Sequence, residues 1–278
     1  MVLDTHEPKK ALGQHWLYDT DVLDAMCDAV SLAPNDKVLE IGPGLGTLTA
    51  RLLQGGAEVL ALEYDHELAL NLSKNTQKLL PKESSELLTR LEVVEGDIRS
   101  FDLTKIPFGY KLCANIPYYL TSNLIRILCD TSNQPWEAAL LMQKEVAERI
   151  VADDGKMSII SCIAQFYYEC YGGDTVPAEL FTPPPKVNSQ VLIMRRRQAP
   201  LFAVNTKQFF RLIKAGYSEK RKNVRNALSG GLGTSREYVE EHLDQAGIAH
   251  SERAENLSLA DWKKLFDTGL VDQLSKSA

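Results

Sequence analysis

Residues 37–56, KVLEIGPGLGTLTARLLQGG, hold the transition that decides the fold. The apolar run KVLEIG reads as a buried strand, glycines at 42, 44 and 46 make a turn, and TLTARLLQGG has helical spacing. Lacking a Cβ, those glycines let the backbone turn tightly and approach a ligand. The alternation recurs downstream. EVLALEYD (58–65), LEVVEGD (91–97), YKLCANIPY (110–118) and AALLMQ (138–143) read as strands. HELALNLSKNTQKLL, TSNLIRILCD and KEVAERIVA read as helices among them. This order predicts an α/β fold with a parallel, doubly wound sheet. Ligands of such sheets bind outside the carboxyl ends of the strands, where strand order reverses.

Acidic residues stand at two of those ends. Glu63 closes the second strand, seventeen residues past Gly46, and Asp97 closes the third. A carboxylate at Glu63 can accept hydrogen bonds from both hydroxyls of a ribose, and one at Asp97 from an adenine amino group. The glycine spacing is G-x-G-x-G, with Thr47 where a dinucleotide fold often has its third glycine, which weakens a pyrophosphate reading. Ribose and adenine without a required diphosphate point to S-adenosylmethionine. On these residues alone, NAD or another nucleotide stays open.

The fourth strand runs into CANIPYYLTSN (113–123). By itself, Asn-Ile-Pro-Tyr is also what ends an ordinary strand. Beside a glycine loop and two strand-end acids it suits methylation of an exocyclic adenine nitrogen. That amine is a poor nucleophile because its lone pair is delocalised into the ring. Two acceptors bonding its hydrogens favour a pyramidal nitrogen. The Asn115 side-chain oxygen and a backbone carbonyl in the Ile116–Pro117 turn are suited to this. Pro117 stiffens the turn and Tyr118 offers a π-face to the base. Catalysis of this kind is positioning and electrostatics, without a strong general base.

Composition narrows the class. The chain has 278 residues, 44% hydrophobic and 24% charged, as expected of a soluble globular protein of one large domain with an appendage or of two domains. The longest apolar stretch, SIISCIAQFYY from Ser158, is too short to span a bilayer. MVLDTHEPKK lacks the apolar core of a secretory signal and the Arg-rich character of a transit peptide, so a cytoplasmic location is expected. Five cysteines, none in a C-x-x-C pair, read as reduced and mostly buried. The five histidines show no metal-ligand spacing, and no metal site is expected. Net charge is -6, yet residues 186–228 alone carry +10. Such a zone fits a localised nucleic-acid footprint or a solvated helix face.

After FTPPPKVNSQVLIMRRR the pattern turns helical: KQFFRLIKAGYS, KRKNVRNALSG, SREYVEEHLDQAG and LADWKKLFDTG each end in Gly or Ser. This places a boundary near residue 200, between a catalytic domain (1–199) and a helical domain (200–278).

Segments along nearly the whole chain resemble the ribosomal RNA adenine N6,N6-dimethyltransferase family, in order KKALGQHWL (9–17), EIGPGLGTLT (40–49), ALEYD (61–65), EGD (95–97), NIPYYLTS (115–122), MQKEVAERI (142–150) and FTPPPKVNS (181–189). RKNVRNAL and RAENLS follow toward the C-terminus. The resemblance implies a Rossmann-like class I methyltransferase sheet with a smaller all-helical C-terminal domain that grips RNA. It implies S-adenosylmethionine as donor, released as S-adenosylhomocysteine, and no metal. Its substrate would be two adjacent adenosines in a hairpin loop near the 3′ end of small-subunit rRNA, in a pre-ribosomal particle, with a role in small-subunit biogenesis. A monomer is expected.

Residue by residue, the resemblance implies that His15 and Leu17 help seat the cofactor. Gly42 would lie against its methionine part, Glu63 on the ribose and Asp97 on the adenine, with Gly44 and Ile98 completing the set. Asn115 would lie between cofactor and target amine, and Tyr118 and Phe181 would sandwich a base flipped out of its stack. From FTPPP alone Phe181 reads as a core aromatic. The family often has Asn where His15 stands and usually Phe where Trp16 stands. Arg195, Arg196, Arg197, Lys220, Arg221, Lys222 and Arg225 would contact phosphate. Erythromycin-resistance relatives acting on the large subunit share the Asn-Ile-Pro-Tyr core, but AGIAHSERAENLSLADW resembles the small-subunit enzymes. A DNA adenine methyltransferase usually has a second proline where Ile116 stands. A ribosome-assembly factor whose binding outweighs its catalysis is the alternative of a different class.

Overall fold

The protein is described from a computed structural model covering residues 8–9, 12–153, 155–219 and 221–272. In chain order the elements begin β1 (Trp16–Leu17), α1 (Thr20–Ala29), β2 (Lys37–Ile41), α2 (Thr47–Gln54), β3 (Glu58–Glu63), α3 (His66–Leu79), β4 (Leu91–Glu95) and β5 (Lys111–Asn115). They continue α4 (Thr121–Asp130), β6 (Glu137–Gln143), α5 (Lys144–Ile150), α6 (Ile159–Tyr167), β7 (Tyr168–Val176), β8 (Phe181–Thr182) and β9 (Ser189–Arg196). Helices α7 (Thr206–Gly216), α8 (Val224–Leu232), α9 (Arg236–Ala246) and α10 (Leu259–Asp267) complete the chain. No helix among the described residues is long and apolar enough to cross a membrane.

Two compact units result. The first comprises Met1–Ala147 and Glu169–Arg196. Its seven-stranded sheet has the order β4-β3-β2-β5-β6-β9-β7. Neighbours from β4 through β6 run parallel, while β9 lies antiparallel to β6. From β2 the chain builds outward through β3 to β4, then returns to place β5 on the other side of β2. That reversal is the topological switch point, and it falls between the glycine loop and Asn115. The expected strands and helices of this unit form in these places. Strands β7 and β9 were not foreseen: YECYGGDTV and SQVLIMRR follow no βα rhythm, and pairing with the sheet edge makes them strands.

Local chemistry sets the helix starts. Asp65 caps α3 by accepting from the N–H groups of Glu67 and Leu68. Beneath, Leu39, Leu52, Leu72, Cys113 and Leu141 are buried between sheet and helices. Four of the five cysteines, Cys27, Cys113, Cys129 and Cys162, are buried.

The second unit is Arg197–Ala278 with Glu148–Tyr168. A single cut near residue 200 therefore needs correction. The crossing at Arg196–Arg197 lies close to it, but the excursion between β6 and β7, with α6, also belongs to the helical unit. The reason is packing: Cys162 and Phe166 of α6 join the aromatic cluster of Phe209 and Phe266. Asn205, Asn223, Ser235 and Ser258 cap the four C-terminal helices, each accepting from a backbone N–H three residues on. Because Asn223 starts α8, Arg221 and Lys222 precede that helix rather than ride on it.

Phe209, Leu212, Ile213 and Gly216 make one face of α7 at helical spacing. A Cβ on Gly216 would collide with the fully buried Trp262 indole. Gly216→Ala should therefore destabilise the helical unit by about 1–3 kcal/mol, an overpacking cost readable by urea denaturation.

Candidate active site

A buried acid ties the site together. Glu63, 5% exposed at the end of β3, accepts from the Gly44 N–H through Oε2 (3.0 Å) and from the Asp65 N–H through Oε1 (2.8 Å). Burial pushes its carboxyl above the usual range, and the two backbone bonds pull it back. Each carboxylate oxygen has room for a second donor. The Asp65 carboxylate in turn holds the Lys9 ammonium at 2.8 Å, drawing the N-terminal segment toward α3.

The glycines divide the loop's work. Gly42 has φ +66° and nothing within 4 Å of where a Cβ would stand, so its backbone faces open space. At Gly44 a Cβ would come within 2.7 Å of the Trp16 ring, so this glycine admits an indole. Trp16 and Leu17 form β1, paired antiparallel with Thr182 and Phe181 of β8. That two-stranded ribbon joins the N-terminal segment to the FTPPP turn.

Across the switch point, Asn115 ends β5. Its Nδ2 donates to the His15 carbonyl (3.1 Å), which leaves Oδ1 as the acceptor without a partner among the described residues. The Ile116 N–H is held by Leu141 O (3.0 Å), and the Pro117 carbonyl accepts from the Leu120 N–H (2.9 Å). Of the two turn carbonyls, that of Ile116 is the one left for a ligand. The Tyr118 hydroxyl and Ser189 Oγ lie 2.9 Å apart, and its ring stacks on His15 with centroids 5.7 Å apart. His15 Nδ1 lies 2.6 Å from the Pro183 carbonyl.

Every catalytic and cofactor candidate drawn from the sequence lines one pocket of about 1130 Å³, counted with its open mouth. Two details differ from expectation. Phe181 is 3% exposed and packs in the core, as FTPPP alone implied, and the ring beside Tyr118 is His15. Asp97 is held by the Arg99 guanidinium, whose Nε lies 2.8 Å from Oδ2, and this lowers the Asp97 pKa.

Sequence reasoning passed over Glu40. It is 1% exposed, lines the pocket, and accepts from Thr49 Oγ1 at 2.7 Å. Burial raises its pKa to about 8, against the Thr49 bond and with help from the Glu63 charge. An acid inside the otherwise apolar run VLEI (38–41) was the available signal.

The basic candidates are not one cluster. Alternation along β9 puts Arg195 and Arg196 on opposite faces. Arg195 lies 3.8 Å from Glu137 and over the Tyr171 ring, whereas Arg196 lies over Phe108. Arg197, in the second unit, donates through Nε to Gln165 O. In the second unit Arg225 is paired with Glu240 at 2.6 Å, Lys222 with Glu219 at 2.6 Å, and Arg221 is exposed. Lys220 lies outside the described residues.

Open backbone at Gly42, two strand-end carboxylates and a free amide oxygen fit an adenosine-bearing ligand. A pocket at the switch point of a doubly wound sheet is where an α/β enzyme binds its ligand. Comparison with known proteins narrows this to one family. The model of the ribosomal RNA adenine dimethylase family matches residues 5–269. Ribosomal RNA small subunit methyltransferase A of Dehalococcoides mccartyi is 36% identical, covering 94% of this chain and 88% of that protein. Its namesake from a Nostoc species is 38% identical, covering 93% and 96%. Among solved structures, a dimethyladenosine transferase from Plasmodium falciparum superposes with TM-score 0.78 at 26% identity, covering 94% of this chain and 98% of that one. The 23S rRNA methyltransferase ErmE gives 0.71 at 25%, covering 93% and 100%. The chain belongs to the ribosomal RNA adenine dimethylase family, and is an rRNA methyltransferase.

Glu40 carries a pH signature. Its folded pKa of about 8 exceeds the ordinary 4.5, so the folded state holds the proton more tightly. The stability this gives is complete below about pH 4.5 and declines as pH rises to about 8. Glu40→Gln keeps an acceptor for Thr49 but not the titration. Thermal midpoints measured from pH 5 to 9 should fall more steeply for the wild type than for the variant.

Proposed function

We propose that this protein transfers two methyl groups to the N6 amine of each of two adjacent adenosines in a hairpin loop near the 3′ end of small-subunit rRNA. It would act as a cytoplasmic monomer on a pre-ribosomal particle, in small-subunit biogenesis. The observation that carries this reading is the Asn115 amide, whose Nδ2 is committed to the His15 carbonyl at the switch point. Its Oδ1 and the Ile116 carbonyl are then the two acceptors for the amine hydrogens. Fixed before substrate arrives, they require no reorganisation when the nitrogen becomes cationic. The proton then leaves to solvent.

S-adenosylmethionine, when bound, supplies the electrophilic methyl group. Glu63 would hold its ribose through the capacity its backbone bonds leave free, and Asp97 its adenine, in competition with Arg99. His15, Leu17, Gly42, Gly44 and Ile98 would form the remaining walls. Tyr118 would offer the target base the ring face that His15 does not cover, with Pro117 keeping the turn stiff. Phe181 would back the slot through the β1–β8 ribbon.

The small-subunit assignment draws on relatives at 36–38% identity that carry that name. ErmE, at 25%, favours the large-subunit alternative less. For the RNA grip, Arg221 and Lys222 are the candidates to test. Arg225 is a poorer one: Lys222 and Arg225 are each paired with a glutamate, but the Arg225–Glu240 pair is the more buried, so its reversal would set two carboxylates together with less solvent to screen them.

Three outcomes are expected. Asn115→Ala should lower single-turnover methylation of small-subunit particles by roughly 10²–10³-fold, the loss typical of one preorganised polar contact. With labelled S-adenosylmethionine, the wild type should modify small-subunit and not large-subunit RNA; the reverse would assign it to the resistance type. Arg221→Glu with Lys222→Glu should weaken particle binding and flatten its salt dependence, read by co-sedimentation across salt.

A further inference from the structure

At the end of the sheet away from the pocket, three side chains of the first unit form a patch that the methyl-transfer chemistry does not use. Phe108, 70% exposed, and Trp136, 52% exposed, meet edge to face with centroids 5.9 Å apart. The Arg196 guanidinium lies over the Phe108 ring, 5.5 Å from its centroid. The main chain beneath Trp136 is fixed on both sides. The Trp136 N–H donates to Tyr110 O (2.9 Å) and its carbonyl accepts from the Arg196 N–H (2.8 Å), so Trp136 extends β6 between both neighbours.

Charge distinguishes this patch from an ordinary apolar one. Nearby, Asp36, Lys111, Glu137 and Arg195 form a chain of ion pairs, two acids against two cations. Arg196 stands outside that chain and has no carboxylate partner among the described residues. A planar cation and two open aromatic rings are the chemistry that takes an unstacked base with its phosphate.

We infer that Phe108, Trp136 and Arg196 form a stacking site for a single-stranded segment of RNA, distinct from the target nucleotide. The inference rests on the proposed action on rRNA and deepens it. The seven residues of β6 put the patch roughly 20 Å from the pocket, too far for the target adenosine to serve both. The occupant is therefore a flanking nucleotide of the same particle. A base stacked there would hold the particle while the catalytic pocket exchanges one amine for the next.

The test uses the full chain and a short oligouridylate, which carries no adenine for the catalytic pocket. Trp136 is the exposed reporter, since Trp262 is fully buried and the Trp16 indole nitrogen is enclosed. Oligouridylate should quench tryptophan emission in a salt-sensitive way, and ultraviolet crosslinks mapped by mass spectrometry should fall on Phe108 or Trp136. Phe108→Ser with Arg196→Gln should weaken binding about tenfold or more, the loss expected for one stacked base. Arg196→Lys, which keeps the charge but not the plane, should fall between. Unchanged thermal melting shows that the variants fold, and the crosslink map needs no variant. No quenching and no crosslink at these residues would overturn the inference, as would variants that bind like wild type. If the variants weaken particle binding while oligouridylate leaves Trp136 unaffected, the patch meets protein instead, which also overturns it. Wild-type methylation of small-subunit particles tests the proposed function separately.

Discussion

The catalytic unit depends on one buried carboxylate accepting two backbone N–H groups from different loops. Glu63 ends β3, yet its oxygens hold the glycine loop that follows β2 and the turn that opens α3. Few other groups can do this. A neutral amide accepts through only one of its two ends, and a shorter acid at the end of β3 falls short of Gly44. With Gly44 fixed, the Gly42 backbone is presented to open space and Trp16 finds the gap that a Cβ would fill. The pocket floor is thus a consequence of where one strand ends.

The opposite wall has a matching constraint. Asn115 donates to a carbonyl of the N-terminal segment, a hundred residues away in sequence. That segment is pinned by Lys9 on Asp65 and by the β1–β8 ribbon. Three distant stretches must converge before the amide has a defined orientation. The arrangement suits a reaction that needs acceptors held still more than it needs a strong base.

Much of this was legible in the chain. KVLEIGPGLG, ALEYD, EGD and NIPYY lie at strand ends because apolar runs of strand length stop there. A parallel sheet then brings all such ends to one edge. What stayed hidden needed contacts. Glu40 was counted as part of a strand, since nothing local reveals that Thr49 is its partner. The run Arg195–Arg197 looked like a single basic cluster, but strand alternation and a unit boundary send its members to three places. Phe108 and Trp136 look like ordinary loop and strand residues until Arg196 is found over one of them.

The sequence by itself determined the order of strands and helices, the glycine loop, the strand-end acids and the family. These are encoded by periodicity and by residue types that few other arrangements require. Only the tertiary structure decided which amide hydrogens and carbonyls remain free at Asn115, Ile116 and Pro117. It also decided that residues 148–168 pack with the C-terminal helices, and which arginines are already neutralised. The physical reason is the same in each case. A hydrogen bond or ion pair between segments remote in sequence leaves no mark on either segment, because each residue's type permits many partners and packing selects one.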